Sequence, residues 1–267
     1  YKLDGVTKTY SQYTSGFSAA TSRQLIITVA ASAPALYYWC SQHSGMGGAI
    51  NTNATFGSSN FDGNIQSLVS ANTTAGISIV RYTGDGSASA TIGHGLGGKI
   101  DQIWQKDLTA TDSWHIFSKD MTSGYNMFFN NDSVHLNPSD GVIDNFTTTT
   151  FGFNANGGNV NAVNENNIPC ICYCFKSVTG FSSFGKYRGN NNSVNGPMVY
   201  TGFKPSFILV KKMDSSGYWV ISDKLRNNRG DTVSNGSNRW LYPNVDHAEY
   251  DASSYPVDLL SMGFKFK

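Results

Sequence analysis

The chain has 267 residues, of which 14% are charged and 13% are aromatic, and its formal net charge is +1. The charged share is about half that of an average soluble domain, and no basic run exceeds the pair Lys211 and Lys212, so we expect no nucleic-acid partner. No apolar run reaches the roughly 20 residues that a bilayer-spanning helix requires, so we expect no membrane insertion. Because the first residue is Tyr1 rather than Met, we expect the chain to be part of a longer protein.

Short apolar or alternating runs, separated by turns rich in Gly and Asn, predict β-strands along the whole chain. In chain order, the clearest candidates are residues 24–30, 34–40, 76–82, 102–107, 169–175, 207–211 and 219–222. Helical periodicity is nearly absent, and residues 64–71 form the only segment in which we consider a helix. The sequence therefore predicts an all-β fold.

Two parts of the chain resemble each other at a separation of 105 residues. Tyr82 matches Tyr187, residues 102–107 match residues 207–212, and Trp114 falls on Trp219. Residues 34–40 also resemble residues 169–175, since each segment begins with Pro and is followed by a polar turn that ends in a Gly, at Gly45 and Gly180. We therefore predict tandem antiparallel β-sandwich units of about 100 residues, of the jelly-roll or concanavalin-like type.

The repeat suggests four segments. Residues 1–45 are interpreted as the closing strands of a preceding unit or as an N-terminal arm. Residues 46–75, which are polar and rich in Gly, Asn, Ser and Thr, are predicted to form a linker. Residues 76–179 form the first complete unit in this scheme, and residues 180–267 form a second unit that lacks its closing strand.

Three of the four cysteines alternate along one predicted strand. Cys170, Cys172 and Cys174 would lie on the same face about 7 Å apart, which does not favour a disulfide between them. A zinc site usually needs pairs of ligands across a turn, and this spacing does not provide them. We interpret the three residues as buried free thiols, and we predict no metal and no cofactor.

Three residues are candidate contacts to a glycan or a protein partner. Trp114 and Trp219 occupy equivalent positions in the two predicted units, where they act either as core aromatics or as platforms on which a sugar stacks. His94 lies in a predicted turn between Gly93 and Gly95, where it either stabilises the turn or presents its ring to a ligand.

The sequence shows no signature of catalysis. It contains neither the G-x-S-x-G pattern of serine hydrolases nor the H-E-x-x-H pattern of zinc hydrolases. A glycosidase needs two carboxylates at a short, defined distance, and no pair of acidic residues recurs at equivalent positions of the two units. We therefore predict that the chain is not an enzyme and has no catalytic residues.

Several motifs taken together resemble a repeated module of tailed bacteriophages from marine hosts. They are VSANTTAGISIVRYTGDG at residues 69–86, TIGHGL at 91–96, TGFSSFGKYRG at 179–189, VYTGF at 199–203, PSFILVKK at 205–212 and LLSMGFK at 259–265. This resemblance implies a β-sandwich component of the virion, located in a tail fibre, a spike or a capsid decoration. It implies partners among the other virion proteins and a homo-oligomer such as a trimer, and it implies no catalytic residues.

Three functions follow as hypotheses. The first is a structural component of the virion that mediates assembly or contact with the host surface. The second is a lectin-like module that binds host glycans, and it predicts exposed aromatic side chains beside Asn, Asp or Gln on one concave face. The third, more distant hypothesis is a polysaccharide-degrading enzyme, which predicts two carboxylates in a groove.

Overall fold

The computed structural model describes residues 57–109, 111–133, 142–154, 160–192, 194–226, 236–252 and 256–266, and the backbone of short strands within residues 1–50. The described residues contain 24 β-strands and one helix of four residues. The fifteen pairings for which the structure gives a register are all antiparallel. The predicted all-β fold class is therefore confirmed.

Residues Tyr1–Ser59 form one compact unit and residues Asn60–Lys267 form another. The described backbone of the first unit contains three antiparallel pairs. These are β1 (Lys2–Leu3) with β2 (Val6–Thr7), β3 (Phe17–Ala20) with β4 (Leu25–Ile27), and β5 (Leu36–Trp39) with β6 (Gly47–Ile50). The strands predicted within residues 24–30 and 34–40 thus appear as β4 and β5. Cys40 lies outside the described residues.

The first half of the second unit, residues 60–177, is a two-sheet sandwich. Its elements are β7 (Ser58–Asn60, which begins just before it), β8 (Ser67–Asn72), β9 (Ile77–Thr83), β10 (Thr91–Gly93), β11 (Gln102–Asp107), β12 (His115–Ser118), β13 (Met127–Phe128), β14 (Val142–Asp144), β15 (Thr150–Asn154), α1 (Asn161–Asn164) and β16 (Pro169–Phe175). One sheet has seven strands in the order β13-β12-β11-β16-β9-β8-β7, and the other has three in the order β10-β15-β14.

The core of the sandwich lies between these two sheets. Alternate residues of β9, β11 and β16, among them Val80, Ile103 and Cys172, point into it and are fully buried. From the opposite sheet, Ile92 and Phe151 pack into the same cluster. Because successive side chains of a strand point to opposite faces, the remaining residues of β11 and β16 lie on the outer face of the larger sheet.

The second half, residues 178–267, contains shorter sheets. Its strands are β17 (Met198–Tyr200), β18 (Phe207–Val210), β19 (Val220–Asp223), β20 (Gly236–Ser237), β21 (Arg239–Trp240), β22 (Tyr250–Asp251), β23 (Val257–Leu260) and β24 (Gly263–Phe266). They form a sheet in the order β17-β24-β23-β20 and two hairpin-like pairs, β18-β19 and β21-β22. A small core joins Ile208 of β18 to Val257, Leu259 and Phe264 of the four-stranded sheet.

The two halves share strand registers. The pair β11-β12 aligns Gln102 with Ser118, and the pair β18-β19 aligns Phe207 with Asp223, so both partners are displaced by 105 residues. An aromatic group repeats as well. The ring of Tyr82 contacts Phe151 and Phe153 at centroid distances of 6.3 and 5.9 Å. The ring of Tyr187 contacts Phe264 and Phe266 at 6.5 and 5.2 Å.

Three predictions about the organisation of the chain differ from the structure. Residues 64–71, considered for a helix, and part of the predicted linker 46–75 contribute to β8, which pairs with β9 in the large sheet. Val69 points into the core opposite Val80, and this burial outweighs the polar composition around it. The predicted boundary between residues 179 and 180 also falls inside a single compact unit. The tandem arrangement of separate sandwiches stays a prediction.

Candidate functional site

An aromatic cleft lies on the outer face of the seven-stranded sheet. Trp104 of β11 and Tyr173 of β16 are direct cross-strand neighbours on this face. Trp114 immediately precedes β12, and its ring lies 6.2 Å from that of Tyr173, with 33° between the ring planes. Trp104 stacks against Phe129 at a centroid distance of 5.2 Å and an angle of 23°. All four rings are half-buried.

The second half of the unit closes one side of this cleft with Pro243 and Asn244. The cleft has a volume of about 480 Å³, within the range of small-molecule sites. Its lining consists of Trp104, Trp114, Phe129, Asn130, Tyr173, Pro243 and Asn244. Among the described residues, no Asp, Glu, Lys or Arg contributes to this lining, so the cleft is suited to an uncharged ligand.

Two asparagines of the cleft are oriented by equivalent hydrogen bonds. The backbone N–H of Trp114 donates to Oδ1 of Asn130, and the backbone N–H of Trp219 donates to Oδ1 of Asn244, both at 3.0 Å. Nδ2 of Asn130 also donates to Oγ of Ser113 at 3.4 Å. Both amides are thus held against the tryptophan backbones, one from each half of the unit.

Two buried N–H donors of the lining have no hydrogen-bond partner among the described residues. They are Nε1 of Trp104 and Nδ2 of Asn244. Buried donors are rarely left without a partner, and an exception in a cleft indicates a position for water or a ligand atom. The cleft therefore combines apolar ring faces with hydrogen-bond donors.

A second group of aromatic rings lies in the second half of the unit. Tyr218 lies 5.4 Å from Tyr242 and 5.3 Å from His247, and Tyr242 lies 6.2 Å from Tyr250. Tyr242 of this group directly precedes Pro243, which lines the cleft.

Of the three predicted contact residues, only Trp114 lies in the cleft. Trp219 is 2% exposed, and its Nε1 donates to the carbonyl oxygen of Phe128 at 2.8 Å, so its assignment as a glycan contact is wrong. It packs on Ile116 and Met127 at the junction of the two halves. The sequence indicated that Trp114 and Trp219 occupy equivalent positions. It did not indicate which of the two would be buried between the halves of the unit.

His94 is fully buried, which also rules out direct contact with a ligand in this structure. Its Nδ1 accepts a hydrogen bond from the backbone N–H of Leu96 at 3.2 Å, across Gly95, whose φ is +68°. Burial lowers the pKa of His94 to about 4, so the imidazole is neutral near pH 7. The alternative interpretation of His94 as a local element of the turn agrees with this geometry.

Trp104, Tyr173 and Asn244 were not predicted from the sequence as parts of the cleft. Trp104 and Tyr173 were visible as outward positions of alternating strands, but their pairing depends on the long-range contact between β11 and β16. Asn244 lies in a loop that no local pattern singles out. Its relation to Asn130 becomes visible only through the hydrogen bonds to the two tryptophans.

A second cleft, of about 440 Å³, is lined by Lys119, Ser123, Asp144 and neighbouring residues. Nζ of Lys119 lies 2.7 Å from Oδ1 of Asp101, and Oγ of Ser123 donates to Oδ2 of Asp144 at 2.9 Å. These interactions already satisfy the charged and hydroxyl groups involved. The cleft therefore offers less to a ligand than the aromatic one does.

The three alternating cysteines are free thiols buried on the core face of β16, as predicted. Burial raises the pKa of Cys170 to about 11 and raises the pKa of Cys172 and Cys174 above its ordinary value. A thiol in this state is a poor nucleophile, because the thiolate is the reactive form. These residues contribute to packing.

The described residues also limit the possible chemistry. Within them, no group of three or more His, Cys, Asp or Glu side chains is arranged to hold a metal ion. His115 is buried, with Nδ1 2.8 Å from Nδ2 of Asn126 and Nε2 3.6 Å from Oδ2 of Asp112. No helix in the described part of the chain is long and apolar enough to span a membrane.

Comparison with known proteins identifies one family. A family model described as a domain of unknown function, DUF7483, matches residues 7–267. No curated protein and no solved structure matches the chain.

Proposed function

We propose that this chain, which belongs to the DUF7483 family, is a non-catalytic glycan-binding module of an exposed virion appendage. In this proposal, the aromatic cleft contacts sugars of the host surface. The appendage is a tail fibre, a spike or a capsid decoration of a tailed bacteriophage, assembled with other virion proteins and as a homo-oligomer.

The aromatic cleft carries the proposal. It places the rings of Trp104, Trp114 and Tyr173 beside the amides of Asn130 and Asn244 in a space of about 480 Å³. A sugar presents C–H groups on its ring faces and hydroxyl groups around its edge. Aromatic faces accept the first by stacking, and amides accept or donate hydrogen bonds to the second.

The surroundings of the cleft support a chain of sugars as the ligand. A further aromatic group, formed by Tyr218, Tyr242, His247 and Tyr250, includes the residue that directly precedes Pro243 of the lining. Further exposed apolar side chains of the second half, such as Tyr200 and Phe207, offer area for contacts with other proteins. The virion setting rests on the sequence resemblance of residues 69–86, 91–96, 179–189, 199–203, 205–212 and 259–265.

A glycan array followed by calorimetry tests this function. We expect the protein to bind uncharged oligosaccharides with dissociation constants between about 1 μM and 1 mM, a range typical of small, open sites. Trp114→Ala removes a stacking face, and we expect it to weaken binding at least about tenfold. Tyr200→Ala is the control, because Tyr200 is 69% exposed and lies outside the lining of the cleft.

Two results would contradict glycan binding by the cleft. If the folded protein binds no glycan at millimolar sugar, or if Trp114→Ala and Tyr200→Ala bind alike, the cleft is not a sugar site. An assembly role without glycan binding would then be favoured, supported by the exposed apolar side chains of the second half.

A further inference from the structure

The equivalent asparagines of the two halves, Asn130 and Asn244, make different numbers of hydrogen bonds. Asn130 uses both ends of its amide, since Oδ1 accepts from Trp114 and Nδ2 donates to Ser113. Asn244 uses only Oδ1, which accepts from Trp219, and its buried Nδ2 has no partner among the described residues. The bond to Trp219 fixes which end of the Asn244 amide remains free, and that end is a donor.

Trp104 adds a second unsatisfied donor to the same lining. Its indole Nε1 is buried and without a partner among the described residues, and an indole nitrogen can only donate. The free donors of the cleft therefore call for acceptor atoms on the ligand. Since no described residue of the lining carries a charged side chain, these acceptors are best supplied by uncharged oxygens.

The apolar part of the lining restricts the ligand further. The same lining contains the rings of Trp104, Phe129 and Tyr173 and the ring of Pro243, and Trp104 stacks on Phe129. A hydroxyl group would satisfy a donor but would also bring its own O–H into this apolar space, where it would need an acceptor. A carbonyl oxygen carries no such hydrogen, and a methyl group beside it would pack against the rings.

We propose that the cleft recognises sugars that carry an acetamido group, so that the ligand is an oligomer of N-acetylhexosamine. The acetamido carbonyl oxygen accepts a hydrogen bond from Nδ2 of Asn244, and the methyl group packs among the aromatic rings. Nε1 of Trp104 donates to a second oxygen of the same sugar. This inference rests on the proposed glycan-binding function and names the class of sugar.

The test compares two ligands that differ in the acetamido group. N,N′,N″,N‴-tetraacetylchitotetraose and cellotetraose share their length and β-1,4 linkage, but only the first carries acetamido groups. By calorimetry, we expect the wild-type protein to bind the acetylated oligomer at least about tenfold more tightly, because cellotetraose leaves the donor of Asn244 without its acceptor.

A matched pair of variants locates the effect. Asn244→Asp keeps an oxygen for the N–H of Trp219 and replaces only the free donor, whereas Asn130→Asp makes the same change in charge on the other wall. We expect Asn244→Asp to lose about tenfold in affinity for the acetylated oligomer and Asn130→Asp to lose less. Trp104→Phe, which keeps a ring and removes Nε1–H, provides a second variant if Asn244→Asp is unstable.

The outcomes separate this inference from the function on which it rests. Equal affinity for the two oligomers, or equal effects of Asn244→Asp and Asn130→Asp, overturns acetamido recognition and leaves glycan binding intact. Binding of other glycans without either oligomer overturns the inference in the same way. Failure to bind any glycan overturns the proposed function itself.

Discussion

At the scale of single residues, His94 is a neutral imidazole enclosed by protein. Its side chain is fully buried, Nδ1 accepts from the N–H of Leu96, and burial lowers its pKa from 6.5 to about 4. Protonation therefore favours the unfolded chain, in which the ordinary value of 6.5 applies. The contribution of neutral His94 to stability is complete above pH 6.5 and is lost as the pH falls towards 4.

This linkage predicts acid sensitivity in a defined window. We expect the melting temperature of the wild-type protein to fall between pH 6.5 and pH 4. His94→Asn keeps an oxygen near the N–H of Leu96 but cannot be protonated, so its melting temperature should be lower at pH 7.5 and should change less across the window. Calorimetry at several pH values measures both slopes, and parallel slopes would show that another group causes the loss.

The sequence predicted which types of side chain occur at the site, but it did not predict which of them are exposed. The sequence indicated Trp114 and Trp219 as equivalents, and their backbone N–H groups make equivalent bonds to Asn130 and Asn244. Yet Trp114 lines the cleft whereas Trp219 is buried. The difference arises from the packing of one half on the other, which depends on contacts far apart in sequence.

At the scale of strands, the turn at Gly76 holds β9 close to the end of β16. Gly76 has a φ of +69°, and the N–H of Lys176 donates to its carbonyl oxygen at 2.8 Å. A Cβ atom at this position would overlap the carbonyl oxygen of Lys176. Gly180 has a similar φ of +77° but nothing within 4 Å of the position that a Cβ atom would take.

Substitutions at Gly76 and Gly180 distinguish the cost of backbone strain from the cost of steric overlap, because only Gly76 has atoms close to the added Cβ. We expect Gly180→Ala to reduce the free energy of unfolding by about 1 kcal/mol, the cost of a left-handed backbone at alanine. Gly76→Ala should cost about 2–4 kcal/mol, because overpacking against Lys176 is added to the same strain. Urea denaturation measures both values, and equal losses would mean that the strand ends separate freely to admit the methyl group.

Strands with a clear local sequence pattern could be predicted. Strands that form only because they pair with residues far away in the sequence could not. β9 and β16 follow from short runs rich in apolar and aromatic residues, and β11 follows from its match to residues 207–212. In all three strands the structure buries every second residue. β8 was missed because polar residues surround Leu68 and Val69, and its strand form depends on pairing with β9. Short strands such as β13 and β20 carry too few residues to show any period.

At the scale of the whole second unit, the two halves join through a second apolar cluster. Trp219 packs on Ile116 and Met127 of the first half, with Leu209 and Met213 of the second half beside it. Its Nε1 donates to the carbonyl of Phe128, and the N–H of Gly217 donates to the carbonyl of Asp132 at 3.0 Å. This junction also brings Asn244 to the aromatic cleft, so packing between the halves and construction of the site are coupled.

The junction predicts how the unit unfolds when Trp219 is removed. Trp219→Ala should reduce the free energy of unfolding by about 3–5 kcal/mol, because it leaves a large cavity between the halves. We expect hydrogen exchange to accelerate in β18 and β19 while the amides of β9 and β16 stay protected, since the first half keeps its own core between two sheets. Trp114→Ala, at the equivalent half-buried position, should leave the exchange of both halves nearly unchanged. Accelerated exchange throughout residues 60–266 in Trp219→Ala would instead show that the two halves fold as one cooperative block, in which the core of the first half depends on the second.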